Sequence, residues 1–392
     1  MSGEVLSGES NAAAAGAARG GAVTAGLVVN PFAGIGGEVG LGGSDGADVQ
    51  VEAARRGGRP RAPERAERFV RELCRLSPGV RILTGPGPLG EDAAAGGSGD
   101  SVPGGVEIVV EPAGRATTGA DTTALAAALA GRGAGVIVFV GGDGTARDVV
   151  AGVDPEQLCL GVPAGVKMHS GVFAVTPEDA AQQAADALAG RGRSGLRDVV
   201  DLDEEARRGG VLSTSVYGTM RVPEHERLQR GKRSPAHGSG IDAVGVAEEL
   251  RARFAGMPLA FGPGTTVARV AERFGIAPAL LGFDVLDADG GVHHDASGAV
   301  LEQLLLGREF AVVLSPVGGQ GFVIGRGNHQ LTEGLLAELD PDRLVIVAEQ
   351  AKLGELAGRL RIDAPTAELN EKFRGPRRVL LGRGDIAVAV IE

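Results

Sequence analysis

Two cysteines, Cys74 and Cys159, are all that these 392 residues contain. They are far apart and lack CxxC spacing, which excludes a disulfide framework and a thiolate metal site. No apolar run approaches the ~20 residues that a membrane-spanning helix needs. The first residues carry Glu4 and Glu9 and no leader-like apolar core, so neither a secretory signal nor a membrane association is expected, and the location read from this is cytoplasmic. Basic charge is also short. The formal net charge is −11, which argues against a general nucleic-acid binder and against a polybasic membrane anchor. Lysine occurs four times against 35 arginines, a ratio read as coding bias. Tryptophan is absent and tyrosine occurs once, at Tyr217.

What the chain has is length, aliphatic residues (hydrophobic fraction 43%) and 66 glycines. The length suffices for two domains with full cores. Residues 1–22, mostly Ala, Gly and Ser, read as a disordered tail. Apolar runs at 27–29, 80–83, 106–110, 136–140 and 158–162 read as buried strands, and helical periodicity separates several of them. Phe69, Leu73 and Leu76 share one face of the Glu64–Leu76 segment. Asp121 can cap a helix carrying Leu125 and Leu129, and Thr176-Pro177-Glu178-Asp179 opens another. Residues 89–105 read as a surface loop. Alternating elements with fully apolar strands predict a doubly wound parallel sheet over 23–200. A second, mixed α/β domain, closing over substrate, is expected over 201–392.

The densest chemistry follows the fourth apolar run: Gly141-Gly142-Asp143-Gly144-Thr145. A strand, a glycine turn and a helix start bring backbone N–H groups to one spot, an arrangement suited to phosphate. Asp143 within it could orient and deprotonate an attacking alcohol. A tight turn with a solvated Asp is the plainer reading, and five such residues after five apolar ones weigh against it. A similar element, VNPFAGIGG, follows the first run, with Asn30, Gly34 and Gly36 in the turn. Loops at the carboxyl ends of parallel strands share one crevice. After the fifth run, GVPAGVKMHSGVFA supplies Lys167, His169 and Ser170; Lys167 is either a ligand contact or a solvated loop lysine.

These three segments, in this order, resemble the ATP-NAD kinase superfamily, most of all its AcoX-like branch. The first two signatures also occur in diacylglycerol and sphingosine kinases, whose third loop is of a P-x-G-T-x-N type that Pro163–Met168 does not match. The resemblance runs on through LRDVVDLDEEARRG at 196–209, FGPGTTV at 261–267 and VGGQGFVIGRGNHQ at 317–330, covering about residues 24–392. It implies a sheet of the NAD kinase/diacylglycerol kinase type and transfer of a phosphoryl group to the 2′-hydroxyl of the adenosine ribose of NAD, giving NADP. The donor would be ATP or polyphosphate, with Mg²⁺ assisting. By position, Asp143 becomes the catalytic acid, and Gly141, Gly142, Gly144 and Thr145 line the nucleotide phosphates.

The Asn-Glu pair that holds the dinucleotide in NAD kinases has no counterpart in the expected region; Asn370-Glu371 lies too near the C-terminus. Arg147 and Asp148 either substitute for it or form a helix-surface pair. In the second domain, Gly264, Thr265 and Thr266 either bind phosphate or cap a helix. Gly319, Gln320, Arg326 and Asn328 are candidate ligand contacts, with Arg326 on a phosphate or carboxylate. His293-His294-Asp295 does not read as a metal site, because adjacent histidines point apart, and no protein-held metal is expected. The alternatives are a kinase of a lipid, sugar or small keto-alcohol, and a nucleotide-sensing accessory protein without turnover. The partners expected are small-molecule nucleotides, and homo-oligomerisation stays open.

Overall fold

The structure, a computed structural model, describes residues 23–41, 46–98, 102–111, 117–165, 168–202, 214–224, 241–279, 282–317 and 319–392. The expected tail at 1–22 and Lys167 lie outside them.

The first half alternates as its apolar runs require: β1 (Thr24–Val29), α1 (Ala47–Arg55), α2 (Ala62–Leu76), β2 (Arg81–Thr84), α3 (Glu91–Ser98), β3 (Val106–Ile108), α4 (Gly119–Gly131), β4 (Val136–Gly141), α5 (Asp143–Val150), β5 (Cys159–Pro163) and α6 (Pro177–Leu188). The five strands are parallel in the order β3-β2-β1-β4-β5. Strands β4 and β5 are buried along their whole length because helices cover both faces. Phe69, Val70 and Leu73 of α2 and Ala180, Ala181 and Ala184 of α6 fill one face. Leu125 and Leu129 of α4 and Val149 of α5 fill the other, around Phe139 and Phe173 in edge contact at 5.5 Å.

Two local expectations change. Residues 91–98 form a helix instead of part of a surface loop: Glu91 and Asp92 favour its first turn, and Ala93 and Ala94 are buried against the first core. Asp121 serves one turn inside α4, where its carboxylate accepts from the backbone N–H of Thr118 at 2.8 Å; the chain enters the helix at Thr118. Thr176 caps α6 as its sequence indicates, accepting from the N–H of Asp179 at 3.0 Å with Pro177 next in line.

Strands β6 (Arg193–Leu202) and β7 (Thr214–Glu224) form an antiparallel pair. Val199, Met220 and Val222 pack into the core around Phe139, so this ribbon leans on the first sheet. Residue 200 falls inside β6.

The second half contains α7 (Ala243–Arg253), β8 (Leu259–Phe261), α8 (Thr265–Ala271), β9 (Phe283–Leu286), β10 (Val292–Ala296), α9 (Gly298–Leu305), β11 (Ala311–Leu314), β12 (Phe322–Ile324), α10 (Glu333–Glu338), β13 (Leu344–Val347), α11 (Gln350–Glu355), β14 (Arg359–Ile362), α12 (Ala367–Phe373), β15 (Gly375–Leu380) and β16 (Ile386–Ile391). These build a nine-stranded mixed sheet in the order β10-β9-β8-β11-β13-β15-β16-β14-β12. Its central strands β8, β11, β13 and β15 are parallel. Side chains on its two faces form separate cores, one around Phe283, Phe310 and Phe373, the other around Phe254 and Phe261.

The two sheets are tied by named contacts. The Gln320 amide donates to the carbonyl of Met168 at 2.6 Å, Gly298 N–H to the carbonyl of Glu38 at 3.1 Å, and Arg68 to the carbonyl of Pro365 at 2.8 Å. Buried Asp363 receives both Arg65, at 2.7 Å, and Arg326, at 2.9 Å.

Candidate active site

Strand order reverses between β1 and β4, and there the loops leaving two neighbouring strands diverge to opposite faces and open a crevice. The Asn30 turn leaves β1 and the Gly141–Thr145 turn leaves β4. Asn30 joins them: its amide donates to Thr145 Oγ1 at 2.9 Å, while its carbonyl oxygen accepts from Phe32 N–H at 3.1 Å. Both ends of that amide are committed, which fixes the register of the two loops. Gly34 has φ +85°, and a Cβ there would lie 2.5 Å from the carbonyl of Ala164, so the first loop can lie against the third only as glycine. Gly141 has a different reason: an added Cβ would meet Thr145 Oγ1 at 2.2 Å. Gly36 accepts from the N–H of Leu41 at 3.0 Å and closes the first loop on itself.

Helix α5 begins at Asp143 with Gly142 as its flanking residue and no side-chain cap. The N–H groups of Asp143, Gly144 and Thr145 therefore have no partner inside the helix, and they carry the positive end of its dipole. Asp143 is 6% exposed. Its Oδ1 accepts from Ser170 N–H at 3.0 Å; its Oδ2 accepts from His169 N–H at 2.6 Å and lies 3.2 Å from the Nδ1 of that ring. The carboxylate thus points into the third loop and not into bulk water. Oδ1 keeps a lone pair for one more donor.

The remaining candidates divide into groups. Ser170 is fully buried, and its hydroxyl donates to Val200 O and accepts from Val200 N–H, both at 2.9 Å. That hydroxyl is spent on anchoring β6, and the backbone N–H of Ser170 is what reaches Asp143. Arg147 pairs with Asp201 at 2.9 Å and lies 5.6 Å from the ring centre of Tyr217, while Asp148 stands 3.7 Å from Arg147. Gln320, beside Gly319 at φ +73°, reaches the third loop through Met168.

Arg326 does not reach the turn. It is 3% exposed, paired with Asp363 and bonded to the carbonyl of Val175 at 3.0 Å, so it acts at the domain junction. Asn328 folds back on its own strand, bonding Val323 O and Gly325 N–H. Gly264 is the flanking residue of α8 at φ +116°, and the helix start has no side-chain capping bond among the described residues. Among the described residues no hydrogen bond joins Gly264, Thr265 or Thr266 to the Asp143 turn. Asn370 accepts from Ala364 N–H at 2.8 Å, and Glu371 pairs with Arg374 on α12, away from the crevice. His293 and His294 lie on β10 against Asp287 and Asp284, at 3.3 and 3.1 Å. Among the described residues no group of three or more His, Cys, Asp or Glu could hold a metal ion.

The sequence did not single out His169 as a partner of Asp143, because the two are 26 residues apart and meet only when β4 and β5 pair.

Comparison with family models gives two matches in chain order. Residues 25–192 match the ATP-NAD kinase N-terminal domain, and residues 255–389 match the ATP-NAD kinase C-terminal domain. The chain belongs to the ATP-NAD kinase family. The match to the N-terminal domain contains all three loops around Asp143, and the match to the C-terminal domain contains Gln320. The ATP-NAD kinase domain pair is that of a phosphotransferase, and its fold, a parallel sheet followed by a mixed one, is the fold observed. No curated protein matches the chain. Among the described residues no helix is long and apolar enough to cross a membrane.

Proposed function

We propose that the protein transfers a phosphoryl group from ATP or polyphosphate to the 2′-hydroxyl of the adenosine ribose of NAD, giving NADP. The observation that carries the reading is a buried Asp143 fixed by two backbone N–H groups at the strand-order reversal, with one lone pair of Oδ1 uncommitted. In this reading the acceptor hydroxyl donates to Oδ1 of Asp143, which orients the oxygen for attack and takes its proton. Positioning and proton transfer of this kind are worth on the order of 10²–10⁴ in rate. The phosphates of the donor rest on the N–H groups opening α5, with Gly142 free of any side chain that would block them. Arg147 and Asp148, on the next turn of α5, face the substrate side in this reading, and the second domain covers it through the Gln320–Met168 contact.

A Mg²⁺ ion fits as a companion of the donor and not as a resident, since such ions are held chiefly by phosphates with one or two carboxylates. Bound there, it would neutralise charge on the transferred group.

The test is incubation of the full chain with NAD⁺, Mg²⁺ and ATP, or polyphosphate, and assay for NADP⁺. Product is expected, and Asp143→Asn should lower kcat by at least 100-fold. Absence of product with both donors removes NAD as acceptor, and ATP consumption with a sugar, a keto-alcohol or a lipid would name the replacement. Binding of NAD without turnover of any acceptor would make the protein a nucleotide-sensing relative.

A further inference from the structure

A cavity of about 740 Å³ lies between the two domains, and none of the residues that fix Asp143 lines it. One wall belongs to the first domain: Glu38 from the loop after β1, then Arg59 and Arg61 ahead of α2. The facing wall carries Glu302 of α9, His329 and Asp363. The walls are pinned together at the Gly298–Glu38 hydrogen bond. They also meet where His329 packs on Gly37; an added Cβ there would come 2.3 Å from Nδ1.

Arginines crowd one buried carboxylate at this junction. Three guanidinium groups, those of Arg61, Arg65 and Arg326, cluster around one carboxylate. Asp363 is wholly buried and already taken: Arg65 holds both its oxygens, at 2.9 and 2.7 Å, and Arg326 adds a contact at 2.9 Å. Arg61 makes no side-chain hydrogen bond and no ion pair among the described residues. Burial, and then the like charge of Arg65, pull its pKa below the usual arginine value, against the opposing pull of Asp363, Glu64 and Glu38. The next carboxylate along the helix, Glu64, is turned to Arg68. Arg61 is partly buried and lines the cavity, and with no side-chain hydrogen bond spent on a described residue its donors are available to a ligand. A planar fork of donors suits a carboxylate or a phosphate, which it grips in pairs.

We propose that this interdomain cavity binds a small polyhydroxylated molecule by a phosphate or carboxylate seated on Arg61, with Glu38 and Glu302 accepting from its hydroxyl groups. Glu38 beside the arginine and Glu302 across from it exclude a bare polyanion as the full ligand, and the volume suits a metabolite within the range of small-molecule pockets, about 300–1,000 Å³. Because both domains supply the walls, occupancy holds the two sheets together. The assignment does not rest on the phosphotransfer reading.

Isothermal titration and thermal unfolding of the full chain test it, with inorganic phosphate, citrate and glycerol 3-phosphate as probes. Saturable binding with a raised unfolding midpoint is expected for at least one, glycerol 3-phosphate binding more tightly than inorganic phosphate if the hydroxyl contacts are made. Arg61→Met should weaken that binding at least 10-fold while leaving the unliganded midpoint unchanged, since no hydrogen bond or ion pair between the Arg61 side chain and a described residue is lost. A purely structural Arg61 would lower the midpoint instead. Arg61→Lys, which keeps the charge but not the fork, should fold and bind several-fold more weakly. Asp143→Asn should bind the probe as the parent does, whether or not it has lost turnover. The proposal is overturned if no probe gives a saturable response, if Arg61→Met and Arg61→Lys bind as the parent does, or if Asp143→Asn abolishes binding.

Discussion

At Gly141 the backbone of β4 passes so close to Thr145 that a single methyl group would occupy the hydroxyl's place, 2.2 Å from Oγ1. The same hydroxyl accepts the Asn30 amide, so one atom joins the two loops on which the site is built. Gly141→Ala should therefore push Thr145 out of register, with a loss of about 1–3 kcal/mol typical of overpacking. Urea unfolding measures that loss, and kcat should fall with it. A parent-like midpoint and kcat would show that the Thr145 contact carries no weight. Cys159 offers a second test at this scale. Burial pushes its thiol up to about 12, so essentially none is thiolate at neutral pH. The native chain should expose no more than Cys74 to a thiol-specific reagent near pH 8, and both cysteines should react after denaturation. Rapid modification of Cys159 in the native chain would contradict the burial.

At the scale of elements, residues 91–98 show how glycine can be misread. Gly96 and Gly97 look like loop punctuation, yet α3 uses them to lie against α2: a Cβ on Gly97 would stand 2.5 Å from the carbonyl of Glu67. Gly97→Val should thus separate the two helices and lower the urea midpoint, whereas a residue in a surface loop would tolerate the change. A milder cost is expected at the start of α6. Thr176→Ala removes the acceptor of the Asp179 N–H and should cost about 1 kcal/mol, the usual value of a lost N-cap. Equal midpoints for Thr176→Ala and the parent would show that the cap contributes nothing.

The whole molecule is held at a buried ion-pair junction. Burial by itself would raise the pKa of Asp363, but the arginines around it, Arg65 first, hold the carboxyl down to about 2. A carboxyl depressed in the folded state contributes stability that is complete above its unfolded value of about 3.8 and is lost as pH falls through about 2. Acid should therefore weaken the contact between the sheets over that interval, and Asp363→Asn should flatten the dependence as well as lower stability at neutral pH. Removing one partner of a buried pair costs about 3–5 kcal/mol, because the remaining charges stay buried. Unfolding midpoints collected from pH 2 to 7 for both proteins decide the point; an identical slope in the variant would remove Asp363 from the account.

The sequence alone determined the first sheet and the turn at Asp143, since apolar runs, caps and glycine turns act through neighbours along the chain. Five strands, the threonine-capped α6 and the Gly-Gly-Asp-Gly-Thr element all follow from such local rules. Tertiary structure decided what each polar group met. Asp143 takes its hydrogen bonds from residues 169 and 170, Ser170 gives its hydroxyl to β6, and Arg326 turns from a candidate ligand contact into a partner of Asp363. Arg65 and Asp363 are separated by 298 positions, and Arg61 comes to face a cavity only when the two domains close around it. No periodicity or spacing encodes such distances; the burial that makes these charges matter exists only once the sheets are in contact.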